Sequence, residues 1–434
     1  MKILWIVNIM MPDACQALGL PAPIVGGWLV GYQKALLSAY PDTELHIIAP
    51  ADHKETVKTK DATHHLFPMS WMESRTSFAA KQGSRMTALS NLLPTYFSEL
   101  NEEIRPDAIH IHGTELPHSL AWIEACGCER TVVSIQGLAS VIARYYMGGL
   151  TKEDLKGCWS INDWRFNRTL AQEQRNLKQR GEQEVELLRR MEHIAGRTSW
   201  DKAQTWAINP KVQYHTLQEI LRSEFYDEKN CWKLDQCQRH SIFVSQSHYP
   251  IKGLHKLLQA LPIILQHYPD TQLYIVGEDR LDQHWWHRST YVNVIRKLVV
   301  KNQLREHIHY LGTLTAEQMC EQYKKANLYV CPSAIENSCN SLCEAQLLGT
   351  PVVASYVGGL MDLVKHNETG LLYRFEEVEM LAQAICQIFS DDQLALRLSE
   401  AGRNEAQQRH DQIAIAHTLY SLYNNISKDN GFER

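Results

Sequence analysis

No stretch of this sequence approaches the roughly 18 uninterrupted apolar residues of a membrane-spanning helix, so helical membrane association is limited to peripheral contact. An excess of charge is missing too: 44 Lys and Arg face 49 Asp and Glu, a formal net charge of −5 over 434 residues. That balance supplies no general field for nucleic acid, and no nucleic-acid partner is expected. Without G-x-G-x-x-G or G-x-x-x-x-G-K-S/T the chain carries neither a dinucleotide fingerprint nor a phosphate loop, and without Asp-x-Asp it has no close acidic pair to hold a metal against a phosphate. The 11 cysteines lack matched pairs: Cys126 and Cys128 make only C-x-C, and nothing complements Cys339 and Cys343. A zinc ribbon is therefore not expected, and a reduced, cytoplasmic protein is. Ile3–Val7, interrupted by Asn8 and Pro12-Asp13, reads as a buried first strand and not as a leader.

What is present is a chain that is 44% hydrophobic, with short β-rich apolar runs alternating with amphipathic helical stretches. The first half predicts strands at 2–8, 44–49, 107–112 and 131–135, helices near 27–40, 84–104 and 115–126, and a long polar helix over 164–192. The second half predicts strands at 241–246, 272–277, 307–311, 327–331, 351–354 and 370–373, with helices between them. Each half has the pattern of a doubly wound domain, which binds ligands beyond the carboxyl ends of its strands. The expected division is a first domain over 1–225, a linker over 226–240, a second domain over 241–408, and a C-terminal helical segment, 409–434, crossing back to the first.

The most informative segment runs strand, loop, helix, Gly stop and strand from Cys331 to Ser355. Glu336 follows a strand end and Glu344 lies inside the next helix, while the backbone N–H groups of Asn340 and Ser341 stand at that helix's N-terminus, where an anion is favoured. A second candidate is Lys252-Gly253, at a helix start beyond the strand predicted at 241–246, where a fixed cation can oppose charge on a departing diphosphate. A third is Gly26-Gly27, which lets backbone approach a phosphate or sugar. Gln136-Gly137 follows the strand predicted at 131–135, and Gly277 ends another strand.

The Glu336-x7-Glu344 arrangement, with Pro332-Ser333 before it and Gly349-Thr-Pro-Val-Val-Ala-Ser355 after it, resembles the retaining glycosyltransferases of family 4. The resemblance is clearest from about 241 to 410. It implies the α/β GT-B fold, two doubly wound Rossmann-like domains facing a central cleft, in which the first Glu meets the donor sugar and the second the ribose. Carried onto this chain, it implies catalytic roles for Glu336, Lys252 and Gln136. Donor contacts would come from Gly26, Gly27, Gln246, Lys252, Gly277, Asn340, Ser341, Leu342 and Glu344. His112 and Arg197 are acceptor-side candidates. Two positions depart from the pattern: Gln246 stands where the family usually has Arg, and Gln136 where many members have His.

The segment Gly196–Asp201 and the Ile335–Leu342 version of the carboxylate motif look most like bacterial polysaccharide-assembly enzymes. The expected reaction moves a sugar from a nucleotide diphosphate sugar to a saccharide or lipid-linked saccharide, with no cofactor and no metal. Aromatic and arginine residues interleaved over 139–192, including Trp159, Trp164, Phe166, Arg165 and Arg168, suggest peripheral membrane contact through the N-terminal domain. Alternatives from other classes are a non-catalytic nucleotide-sugar-binding protein and a phosphorylase or epimerase of the same fold.

Overall fold

Runs such as Ile3-Leu4-Trp5-Ile6 and Ile242-Phe243-Val244 are apolar on both faces, the composition of parallel strands covered by helices on each side. In the computed structural model these runs form two sheets, one in each of two units. The structure describes residues 1–23, 26–70 and 85–428. Ile24 and Val25 of the Gly-Gly loop, residue 84 at the start of an expected helix, and residues 429–434 of the C-terminal segment lie outside the described residues.

The first unit comprises Met1–Ser140, Lys178–Ile220 and His410–Arg434. Its strands are β1 (Lys2–Ile6), β2 (Glu44–Ala51), β3 (Glu55–Lys58), β4 (Thr63–Pro68), β5 (Ala108–His112), β6 (Thr131–Ser134), β7 (His193–Gly196) and β8 (Gln213–Thr216). They lie in the order β3-β4-β2-β1-β5-β6-β7-β8, parallel except for the antiparallel pair β3–β4. The apolar runs predicted β1, β2, β5 and β6. The other four are short or rich in polar residues and histidine, and β3 and β8, at the sheet edges, expose much of their length. The helix Gln412–Lys428 packs within this unit, where the Tyr423 hydroxyl accepts from Trp5 Nε1 at 2.9 Å and meets His110 Nδ1 at 2.7 Å.

The second unit comprises Val141–Leu177 and Leu221–Arg409. Its strands are β9 (Gln238–Val244), β10 (Gln272–Ile275), β11 (Ile308–Tyr310), β12 (Ala326–Cys331), β13 (Val352–Ser355) and β14 (Leu371–Tyr373). All are parallel, in the order β11-β10-β9-β12-β13-β14.

This division differs from the one expected. Residues 141–177 fall in the second unit, held there by bonds from Ser160 Oγ to Arg288 O at 2.7 Å and from Thr290 N to Asp163 at 2.6 Å. The stretch 226–240 is not a free linker either: Trp232 is buried, donating its backbone N–H to Leu348 O at 2.7 Å and its ring N–H to Ala326 O at 2.8 Å. The long polar helix breaks into Ile161–Arg165 and Leu170–Arg190 around Asn167, whose φ of 54° lies in the left-handed region. Among the described residues, no helix is long and apolar enough to cross a membrane.

The first unit buries four histidines whose pKa values fall below the ordinary 6.5. Loss of hydration is the main cause, and it takes His65 and His118 to about 4 and His110 to about 3, with His112 also held well below its usual value. The fold keeps them neutral, whereas the unfolded chain protonates them below about 6.5. Folding stability is therefore expected to fall as pH drops from 6.5 towards 4, by up to about 1.4 kcal/mol per pH unit for each histidine. Urea unfolding at pH 7, 6 and 5 measures this; an unchanged midpoint would show that these rings are not held neutral.

Candidate functional site

In the second unit, the loop after β9 passes through a short turn, Pro250–Lys252, into helix α2 (Leu254–His267). Gly253 caps that helix with φ of 71°, and a Cβ there would collide with the carbonyl oxygen of Pro332. The loop after β12 carries Pro332 and Glu336 and leads into helix α3 (Asn340–Leu347). The two loops are joined by a backbone bond from Ala334 N to Ile251 O at 2.7 Å. Across this seam Lys252 Nζ donates to Glu336 Oε1 at 2.7 Å, and the Ser333 hydroxyl donates to the same oxygen, also at 2.7 Å. Burial alone would lower the Lys252 pKa, but the Glu336 carboxylate holds it above its ordinary value. Lys252 thus remains an ammonium throughout the neutral range.

From the other side, Gly359 N donates to Glu336 O at 3.0 Å, and a Cβ on Gly358 would strike that carbonyl. Glu336 is therefore held at both backbone and side chain while its carboxylate stays partly exposed. Next along the chain, Cys339 is the N-cap of α3, so Asn340 and Ser341 occupy its first turn. Leu342 is fully buried, so its side chain belongs to the core, and its backbone N–H donates to Cys339 O at 3.0 Å.

Glu344 lies at the same helix, buried, and is engaged by Arg222 in a bidentate pair with both N···O distances at 2.8 Å. Burial raises the Glu344 pKa and Arg222 draws it back down. Gln246 is exposed beyond the end of β9. Gly277, at φ of 122°, bridges to Gly312 through N···O distances of 2.9 and 3.0 Å, and a Cβ on it would come within 2.5 Å of the His248 ring. This glycine serves close packing of three loops within the unit.

The remaining candidates belong to the first unit. Gly26, at φ of 84°, caps helix α1 (Gly27–Ala39), so Gly27 opens a helix as expected; a Cβ on Gly26 would collide with Ile9. Gln136 is half-buried, on the loop after β6. That loop is braced by Glu184, which accepts from Ala139 N, Ser140 N, Ser140 Oγ and Thr114 Oγ1 at 2.6 to 3.0 Å. The two acceptor-side candidates are both buried. His112 packs against Trp5, Trp28 and Tyr32 and stacks on His110 at 3.7 Å. Arg197 pairs with Glu219 at 2.7 Å and donates to the carbonyls of Ile135 and Gln136 at 3.2 and 2.8 Å. Arg197 is thus a positioning residue for the Gln136 loop.

Sequence reasoning missed Arg222, Ser333 and Gly358 as parts of the second unit's site. Arg222 lies 122 residues from Glu344, and nothing local pairs them. Ser333 carried a signal, since it precedes Glu336 by three residues in the same motif. Gly358 was legible only as a turn, because the backbone it meets lies 22 residues earlier.

Residues 229–405 match the family Glycosyl transferases group 1. The D-inositol 3-phosphate glycosyltransferase of Corynebacterium urealyticum is 28% identical over 176 residues, 41% of each chain. This chain spans less than half the length of the curated relatives it matches. By structure it is similar to a sucrose-phosphate synthase from Thermosynechococcus elongatus, with TM-score 0.69 and 18% identity over 98% of both chains. It is also similar to Anabaena Alr3699/HepE, solved with UDP-glucose, with TM-score 0.63 and 16% identity over 98% of this chain and all of that one. Residues 229–405 thus resemble the group 1 glycosyltransferases, and the two parallel Rossmann-like sheets match the GT-B fold of the solved glycosyltransferase structures.

Proposed function

We propose that the protein transfers a glycosyl group, with retention, from a UDP- or GDP-sugar to a saccharide or lipid-linked saccharide in the assembly of a bacterial surface polysaccharide such as capsule or O-antigen. The observation that carries this reading is the cluster of Lys252, Glu336 and Ser333 beside the first turn of α3. As the glycosidic bond to the diphosphate breaks, negative charge grows on the leaving oxygen. The Lys252 ammonium and the Asn340–Ser341 backbone oppose that charge, while Glu336 accepts hydroxyls of the sugar. The acceptor oxygen bonds to the anomeric carbon on the departing face, and its proton passes to the departing phosphate, as the family resemblance implies. The transfer step itself uses no cofactor or metal, so a chelator should not lower the rate.

Thermal-shift measurements against UDP-, GDP-, ADP- and CMP-sugars identify the donor, because a matching one at 100 times its Kd adds about 2.7 kcal/mol of stability. With that donor, Glu336→Gln is expected to lose about 100- to 1000-fold in kcat while still binding the free nucleotide. Unchanged turnover in this variant overturns the assignment. Donor binding without any turnover in the wild type would instead favour a binding protein, the reading motivated by Gln136 and Gln246. Turnover with free phosphate, or sugar epimerisation without acceptor, would favour a phosphorylase or epimerase.

The same proposal places the protein in the cytoplasm, touching the inner face of the membrane through its second unit rather than its first. Trp159, Trp164 and Phe166 are exposed there, among Arg165 and Arg168. Bonds from Ser160 Oγ to Arg288 O and from Asn162 Nδ2 to His287 O bring them beside the exposed Trp285 and Trp286. Tryptophan with arginine suits an anionic lipid interface. Cosedimentation with anionic vesicles should be lost in Trp164→Ser combined with Trp286→Ser. Wild-type protein that stays in the supernatant, or a double variant that still sediments, rejects the contact.

A further inference from the structure

The thiols of Cys331 and Cys339 have no part in the transfer just described, yet they flank Glu336. Cys331 ends β12, and Cys339 caps α3, with the loop between them pinned by Ala334, Gly358 and Gly359 as set out for the site. Their sulfur atoms lie 3.8 Å apart. Together with a carboxylate oxygen of Glu336, they fall within 4.8 Å of one another, the one such group among the described residues with metal-ligand spacing.

We propose that Cys331, Cys339 and Glu336 form a site for a soft divalent cation of the zinc class, and that filling it draws Glu336 away from Lys252 and closes the donor site. The second clause rests on the reading of Glu336 as a donor contact; the first stands on geometry. Zn–S bonds of about 2.3 Å meeting at a tetrahedral angle place two sulfurs about 3.8 Å apart, so the thiols need little movement to become ligands. Thiolate ligands select zinc, cobalt or cadmium over magnesium or calcium.

Charge also closes. Two thiolates and one carboxylate carry three negative charges, matched by a divalent cation and the neighbouring Lys252 ammonium, so the lysine does not exclude the metal. Without metal, the Cys339 contact and burial hold the Cys331 thiol well above its usual pKa. Binding therefore releases the thiol protons to solvent. Cys331 is buried, but Cys339 and Glu336 are partly exposed and offer the cation a path from outside.

Cobalt titration of the full chain, reduced and stripped with chelator, tests the site without reference to catalysis. One equivalent of Co2+ should produce thiolate-to-metal charge-transfer absorption, displaced by Zn2+ and untouched by Mg2+. Cys339→Ser keeps a good N-cap for α3 and should fold, yet it should lose that absorption and need about tenfold or more Zn2+ for half-inhibition. No charge-transfer band in the wild type, or an undiminished band in Cys339→Ser, overturns the site. A normal band with transfer unaffected by Zn2+ upholds the site, overturns its control of the reaction, and counts against Glu336 as a donor contact.

Discussion

The ion pair between Lys252 and Glu336 depends on two loops whose backbones come nearer than any side chain at the seam would allow. Gly253 lies against the Pro332 carbonyl and Gly358 against the Glu336 carbonyl, and at both positions the φ is positive. Only glycine combines that conformation with the missing Cβ. Once the loops meet, the amine and carboxylate settle at 2.7 Å, and Ser333 adds a bond to the shared oxygen. A partly buried charge pair is favourable when geometry and further hydrogen bonds offset its lost hydration, and the seam supplies both.

The second carboxylate of the motif is treated in the same way. Arg222 grips both oxygens of Glu344, so each glutamate of the pair has its own cation. The weak net charge of the chain is consistent with this: positive charge is placed locally at the two carboxylates instead of being spread over a surface. Both carboxylates and their cations are thus held in positions already set by the fold.

In the first unit several buried polar groups brace the loop after β6. Glu184 gathers four donors around the loop that carries Gln136, and Arg197 holds that loop by its carbonyls. The histidines at the end of β5 are packed among aromatic rings, and Tyr423 reaches one of them from the C-terminal helix. His110 and His112 are buried because both faces of β5 are covered.

The apolar runs by themselves determined the main strands of both sheets, since a buried parallel strand must be apolar on both faces, and the spacing from Glu336 to Glu344 determined that one carboxylate sits on a loop and the other on a helix. Local pattern also placed Gly26 and Gly253 at helix starts. It did not reveal the short polar strands β3, β4, β7 and β8, whose hydrogen bonds come from neighbours and whose side chains carry little periodic signal. Nor did it reveal that residues 141–177 pack with the second unit, because that depends on bonds to residues more than a hundred positions away. Only the tertiary structure decided the partners of the motif: Arg222 for Glu344, Lys252 with Ser333 for Glu336, and two thiols at 3.8 Å beside it. Charge pairing and metal-ligand geometry act over a few ångströms in space, and sequence order carries no record of which distant residues the folded chain brings within that range.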